Sequence, residues 1–317
     1  PPRSTLFPYT TLFRSALTVT TIALVALAFA AQPRSLSNGR PVAVVCVQDE
    51  SYTFSESLRL LRAALEHPTS PDLVVFPEHT IMETLHPGHP SLQPWIELAR
   101  QYQRYVLVGA HVQPRNPGRC DFDNVALLID PTGRIIHQQA KAVPVPLMLD
   151  GNPATSQSVV ETPLGRLGVY ICYDGLFTDI PRRLVDLGAQ LLLVPVMDVQ
   201  DWPLQECMQH AAMAPMRSIE LRRWTVRAAS SGVTQIIDPT GRIVAARQRA
   251  QGQGLVTANI HPCATTTPFT QGGYLVAPTI AAAYLALVVT LTAIDWRRKW
   301  KARAVSICCA KSKTPTR

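Results

Sequence analysis

Three side chains of complementary chemistry close three apolar runs of the sequence. Glu78 follows Leu73-Val-Val-Phe-Pro77, Lys141 follows Ile135-Ile-His-Gln-Gln-Ala140, and Cys172 follows Leu167-Gly-Val-Tyr-Ile171. The ends of apolar strands are where α/β folds gather their active sites. A carboxylate, an amine and a thiol meeting in one cavity form a complete acyl-transfer set. The carboxylate takes the thiol proton, the thiolate attacks a carbonyl carbon, and the ammonium steadies the resulting oxyanion. Cysteine suits the nucleophile's place because a neighbouring cation lowers its pKa and thiolate is strongly nucleophilic. Taken singly, each residue has an ordinary reading as a surface charge or a core thiol; their order and placement set them apart. A second cluster, His79, Glu83, His86 and His89, is interrupted by Pro87 and Pro90, which break any helix that would align it. No metal is expected there. No G-x-S-x-G elbow occurs, which leaves a serine hydrolase without support.

Strands and helices must carry these groups. Residues 41–48, 72–76, 105–112, 124–129, 135–139, 165–172, 189–196, 225–229 and 233–237 read as strands. Residues 55–66, 93–103, 180–187 and 204–223 read as helices. The alternation predicts an α/β domain. Ile129-Asp-Pro-Thr-Gly-Arg-Ile135 recurs as Ile237-Asp-Pro-Thr-Gly-Arg-Ile243, and each copy has the chemistry of a tight turn joining two strands. The echo predicts two related halves: two sheets face to face with helices outside.

The chain has 317 residues, of which 47% are hydrophobic and 16% charged. That is enough length for a full α/β core and too apolar for a disordered chain. The net charge of +8 is concentrated at the end: from Asp295 onward there are eight Lys and Arg residues against one acid. The nearly neutral body lacks the broad basic face that phosphate binding needs, so no nucleic-acid partner is expected. Residues 274–294 carry no charge and are long enough to cross a bilayer as a helix. Trp296, Arg297, Arg298, Lys299, Trp300, Lys301 and Arg303 follow like an interfacial belt and a cytoplasmic anchor. Positive residues stay inside, which predicts a basic cytoplasmic tail at 295–317 and everything before Tyr274 outside. Residues 16–31 form a shorter apolar stretch, either a membrane helix or the core of a signal peptide. Residues 1–15 begin without Met, repeat Thr-Leu-Phe, and read as an atypical or artefactual start. Of the seven cysteines, Cys46, Cys120, Cys172, Cys207 and Cys263 lie between the two spans, at spacings that fit neither a zinc site nor a disulfide framework.

Phe76-Pro77-Glu78, then Lys141 with Val143-Pro144, then Ile171-Cys172-Tyr173-Asp174 resemble the carbon–nitrogen hydrolase (nitrilase) superfamily. The resemblance implies a Glu-Lys-Cys triad of Glu78, Lys141 and Cys172, with Tyr173 and Asp174 at the substrate. It also implies a nitrilase-like αββα sandwich over residues 41–262. Within the superfamily, residues 168–194, Gln209-His210 with Arg217, Glu220 and Arg227, and Gly272-Gly273-Tyr274 are similar to the apolipoprotein N-acyltransferase family. That similarity implies transfer of a fatty acyl group from a phospholipid, through a Cys172 thioester, to the N-terminal amine of a diacylglyceryl lipoprotein. It implies no cofactor, and a place in the bacterial inner membrane with the catalytic domain on the periplasmic side. The sequence departs from the pattern in three places. Asp174 stands where the family has Glu. Leu149 stands where a second Glu is expected after the lysine, with Asp150 one residue further on. Of the multi-helix membrane domain that the family carries before its catalytic domain, at most one helix remains here, which reads as an N-terminal truncation or a reduced anchor. A membrane-anchored amidase or nitrilase, and an inactive nitrilase-like binding domain, are the alternatives.

Overall fold

Strands with no polar interruption have to be covered on both faces, and the strands leading to the site are of this kind. The computed structural model describes Thr18, Val19 and residues 39–51, 53–115 and 118–311. The 1–15 start and, apart from Thr18 and Val19, the 16–31 span lie outside the described residues. In the first half of the body, β1 (Val42–Gln48), β2 (Leu73–Val75) and β4 (Tyr105–Val112) run parallel. β5 (Asp123–Ile129) and β6 (Ile135–Ala140) then follow antiparallel, and β3 (Ile81–Leu85) pairs with β4. The second half repeats this order: β8 (Gly165–Val169), β9 (Leu191–Val196) and β10 (Trp224–Ala229) are parallel, with β11 (Val233–Ile237) and β12 (Ile243–Gln248) antiparallel. β7 (Val159–Thr162) edges this second sheet. β13 (Gly254–Ile260) crosses back to lie antiparallel on β1, with Val42 opposite Ile260.

The sheets meet through β1 against β10 and β11. Helices α1 (Phe54–Leu65) and α2 (Gln93–Tyr102) cover the first sheet, and α3 (Asp179–Asp186) and α4 (Leu204–Leu221) the second. The result is the αββα sandwich. Under α1 and α2, Val45, Leu61, Val74, Trp95 and Val108 form one buried cluster, and Phe76 meets Trp95 edge to face at 4.8 Å.

The two Asp-Pro-Thr-Gly-Arg turns are built alike. Asp130 Oδ1 accepts from the Thr132 N–H and hydroxyl at 2.9 and 2.6 Å and from the Arg134 N–H at 2.9 Å. Asp238 Oδ1 accepts from the same three donors of Thr240 and Arg242 at 2.8, 2.6 and 3.1 Å. Gly133 and Gly241 take φ of 82° and 84° to leave the turn. The sequence echo is therefore a repeat of structure.

Residues 266–317 form a separate compact unit. Its helix α5 (Val276–Lys311) runs past the expected end at residue 294 into the basic segment. Beyond Pro278 in its first turn no Pro or Gly interrupts it, and Asp295 and Lys299 pair one turn apart at 2.7 Å. Gly273–Arg297 is long and apolar enough to cross a membrane, and none of it is buried in a core.

One glycine governs how the first sheet delivers its acid. A Cβ at Gly109 on β4 would stand 2.4 Å from the Pro77 carbonyl oxygen and 2.6 Å from Glu78 Cα. The bare strand lets the Pro77-Glu78 backbone lie against it, held by the Gly109 N–H to Pro77 O bond of 3.1 Å. Gly109→Ala is expected to cost about 1–3 kcal/mol as an overpacked site, read as a lower denaturation midpoint. Wild-type stability in the variant would show that the close approach is not required.

Candidate active site

Each of the three residues singled out from sequence is delivered by the end of a strand. Glu78 follows β2, Lys141 follows β6, and Cys172 opens the short 3-10 turn Cys172–Leu176 after β8. All three are buried. The Lys141 ammonium donates to Glu78 Oε1 at 2.8 Å and lies 2.6 Å from Asp150 Oδ2. The Met197 peptide links Glu78 to the thiol. Its N–H donates to Glu78 Oε2 at 2.9 Å, and its carbonyl lies 3.9 Å from Cys172 Sγ, a long sulfur contact. Cys172 has φ of 50°, the left-handed conformation that costs a non-glycine residue roughly 1–2 kcal/mol. Such strain at a strand-to-turn junction holds a side chain out of the regular ladder.

Asp150 is the residue that the sequence pattern left in doubt. It stands one position beyond the expected glutamate and is one methylene shorter, yet its carboxylate reaches the lysine. Leu147, at φ 67°, turns the chain back toward the site, and Asp150 Oδ2 accepts the Val145 N–H at 2.7 Å. Asn124, on β5, donates through Nδ2 to both Glu78 Oε1 (2.7 Å) and Asp150 Oδ1 (2.9 Å). His79 Nε2 lies 3.3 Å from Asp150 Oδ1, and its Nδ1 is 2.6 Å from His111 Nε2. Glu78, His79 and Asp150 have the spacing of metal ligands, within 4.8 Å of one another. The cation between the two carboxylates is Lys141.

The electrostatics follow from this packing. Burial pushes the Glu78 carboxyl up, but the Lys141 ammonium and His79 outweigh it and hold the carboxyl below the usual range. Asp150 is lowered in the same way: burial opposes, while the His79 hydrogen bond and Lys141 prevail. For Lys141 burial lowers and Glu78, Cys172 and Asp150 raise, with the raising side dominant. The thiol behaves differently from the sequence expectation of a cation-lowered pKa. Burial pushes Cys172 well above the ordinary thiol range, Glu78 adds to this, and Lys141 only opposes it. The resting pair is therefore a thiol beside an ionised carboxylate. Burial and the His79 charge bring His111 down to about 4, so its ring is neutral.

Asp174 does not have its carboxylate open to a substrate. Its oxygens accept the N–H groups of Ala142 (3.1 Å), Val143 (2.8 Å) and Ile171 (3.0 Å). It thus ties the chain after Lys141 to the chain before Cys172. Burial raises its carboxyl to about 6, partly offset by those backbone donors. Tyr173 is half-buried, edge-on to Phe177 at 5.3 Å. Asn124 and the pairing of His79 with His111 escaped the sequence reading. The available signal was a polar residue at the head of the apolar run Asn-Val-Ala-Leu-Leu-Ile.

Residues 24–267 match the carbon-nitrogen hydrolase family, and the chain belongs to it. Among curated proteins it is similar to apolipoprotein N-acyltransferase of Geobacter metallireducens, 29% identical over a match covering 46% of this chain and 32% of that protein. Its similarity to the enzyme of the same name from Pseudomonas paraeruginosa is 34% over 45% of this chain and 26% of the relative. The chain thus spans about a third or less of the length of these relatives. The fold is that of Saccharomyces cerevisiae Nit3, a member of branch 10 of the nitrilase superfamily, with TM-score 0.61 and 18% identity over 73% of this chain and 93% of that one.

A thiol raised by burial gains thiolate only as pH climbs beyond the ordinary thiol range. Alkylation of Cys172 by iodoacetamide is therefore expected to keep rising through pH 9, about tenfold per unit while the thiol predominates. A plateau near pH 8 would contradict the raised thiol.

Proposed function

We propose that the chain is an N-acyltransferase that moves a fatty acyl group from a phospholipid to the N-terminal amine of a lipoprotein. Glu78 takes the Cys172 proton as Sγ attacks the ester carbonyl carbon. Lys141 and the backbone N–H of Tyr173 stabilise the oxyanion. Collapse of the tetrahedral intermediate expels the lysophospholipid, whose leaving oxygen regains the proton from Glu78, and leaves a thioester on Cys172. The free α-amine of a diacylglyceryl-cysteine then attacks the thioester carbonyl and yields its proton to Glu78. The amide forms and the thiol returns. The thioester conserves the reactivity of the acyl group, so the cycle calls for no cofactor. Tyr173 lines the approach, and Asp174 acts through the backbone it holds.

The observation that carries this reading over hydrolysis of a soluble amide is the loop between Lys141 and Asp150. Leu147 is 98% exposed and Leu149 82%, with Met148 between them also exposed. An apolar tip whose two ends are the buried lysine and its carboxylate partner suits a site that works against lipid. The loop 196–202, by contrast, is fastened to the body: Arg249 donates to the carbonyls of Val199 and Trp202 at 2.8 Å each. The similarity to curated apolipoprotein N-acyltransferases and the apolar span Gly273–Arg297 point the same way. Positive residues after that span favour a cytoplasmic C-terminus and a catalytic domain on the periplasmic side of the inner membrane. The missing glutamate would favour the inactive-domain alternative, but Asp150 lies 2.6 Å from the Lys141 ammonium and supplies a carboxylate there.

Intact-mass measurement after incubation with phospholipid vesicles tests the reading. A mass gain of one fatty acyl group, located on Cys172, labile to hydroxylamine and lost in Cys172→Ala, is the expected result. Turnover of a small amide with no lipid adduct would favour the amidase or nitrilase alternative.

A further inference from the structure

A second set of charged residues stands beside the turn that carries Cys172. Asp198, directly after the Met197 peptide, is fully buried. Its Oδ1 lies 2.7 Å from His210 Nδ1, and its Oδ2 accepts from Arg227 Nη2 at 2.7 Å. The main chain of Asp198 is fixed as well: its N–H donates to Ser230 Oγ at 3.0 Å, and its carbonyl accepts the Ser230 and Ser231 hydroxyls at 3.1 and 2.9 Å. Burial alone would raise this carboxyl, but the Arg227 charge and His210 bring it down to about 2. The far nitrogen of the histidine, Nε2, lies 3.4 Å from the carbonyl oxygen of Cys172.

Three elements converge here: Asp198 follows β9, His210 sits on α4 and Arg227 on β10. The charged and titratable groups facing the ring are Asp198, Arg227 and the Cys172 turn. Arg217, on the histidine's own helix, lines the same small void together with Tyr170. At Nδ1 stand an acceptor, Asp198 Oδ1, and a donor, Arg227 Nη2 at 3.3 Å. The group at Nε2, the Cys172 carbonyl, is an acceptor, so the ring serves the turn through a proton on Nε2.

We infer that His210 is a positioning residue for the nucleophile: held at Nδ1 by Asp198, which Arg227 locks in place, it donates Nε2–H to the Cys172 carbonyl and fixes the left-handed turn that aims Sγ toward Met197 and Glu78. The arrangement accounts for the left-handed backbone of Cys172, because an oriented carbonyl leaves the cysteine backbone little freedom to relax. It also gives a role to a buried Asp-His-Arg set that the proposed reaction does not use. The inference rests on Cys172 being the nucleophile.

The test separates the two ring nitrogens. Asparagine at 210 retains a donor where Nδ1 stood and nothing where Nε2 stood; glutamine reaches the Nε2 position. His210→Asn is expected to slow alkylation of Cys172 by iodoacetamide about 10²-fold, the scale of a small misplacement of a reacting group, with the thermal midpoint little changed. His210→Gln should recover most of that rate. Equal rates in all three proteins, or glutamine no better than asparagine, would overturn the inference while leaving the proposed function standing. A Cys172 that does not react even in the unmodified chain would remove both. Ring-nitrogen NMR of the unmodified protein gives an answer independent of the variants: Nε2 of His210 protonated supports the bridge, and Nε2 without a proton excludes it.

Discussion

A buried ammonium has to be matched by buried anions, and the arrangement of this protein's site follows from that requirement. Lys141 is 1% exposed. An isolated charge in such a position would be neutralised or would unfold its surroundings. Glu78 and Asp150 match it at 2.8 and 2.6 Å, and the lysine in turn keeps both acids ionised where burial would protonate them. Asn124 spans the two carboxylates, and the backbone N–H groups of Met197 and Val145 occupy the remaining directions. Under the proposed reaction, with an ionised base and a cation preassembled, a thiol raised by burial rests protonated and is ionised only when a substrate carbonyl is there to receive it.

The duplicated topology explains how one site arises from two similar halves. Glu78 follows the second of three parallel strands in the first sheet, and Asp198 follows the second of three in the other. Each acid pairs with a cation, Lys141 in one case and Arg227 in the other. The strand-end position is thus the same, while the work differs. Glu78 is linked to the thiol through the Met197 N–H and carbonyl, whereas Asp198 binds His210 and Arg227 and, on the inference above, braces the Cys172 turn. Asp174 fastens the two halves of the site together by binding backbone N–H groups on both sides.

Much of this was legible in the amino-acid order. Strand ends located Glu78, Lys141 and Cys172, and the two Asp-Pro-Thr-Gly-Arg turns disclosed the paired sheets, because turn chemistry and apolar periodicity are local. What remained hidden depends on contacts between distant segments. Asn124 looked like the first residue of an apolar strand, and only the approach of two loops gives its amide two carboxylates to bridge. Asp150 stands off the expected spacing, and the left-handed Leu147 that brings it home is a backbone property that leucine does not advertise. The family resemblance put Asp174 at the substrate; its carboxylate instead accepts three backbone N–H groups. The short strands β3 and β7 owe their pairing to neighbours rather than to their own patterns.

The central claim is that Lys141, Glu78 and Asp150 form one buried electrostatic unit, and denaturation energetics test it most directly. Lys141→Met alone leaves two carboxylates buried without their cation and is expected to cost about 3–5 kcal/mol. Adding Glu78→Gln and Asp150→Asn to that variant should restore much of the loss, because neutral side chains in the same positions no longer repel. A triple variant less stable than Lys141→Met by the sum of the separate effects would show that the three charges do not act together, and would contradict this account of the site.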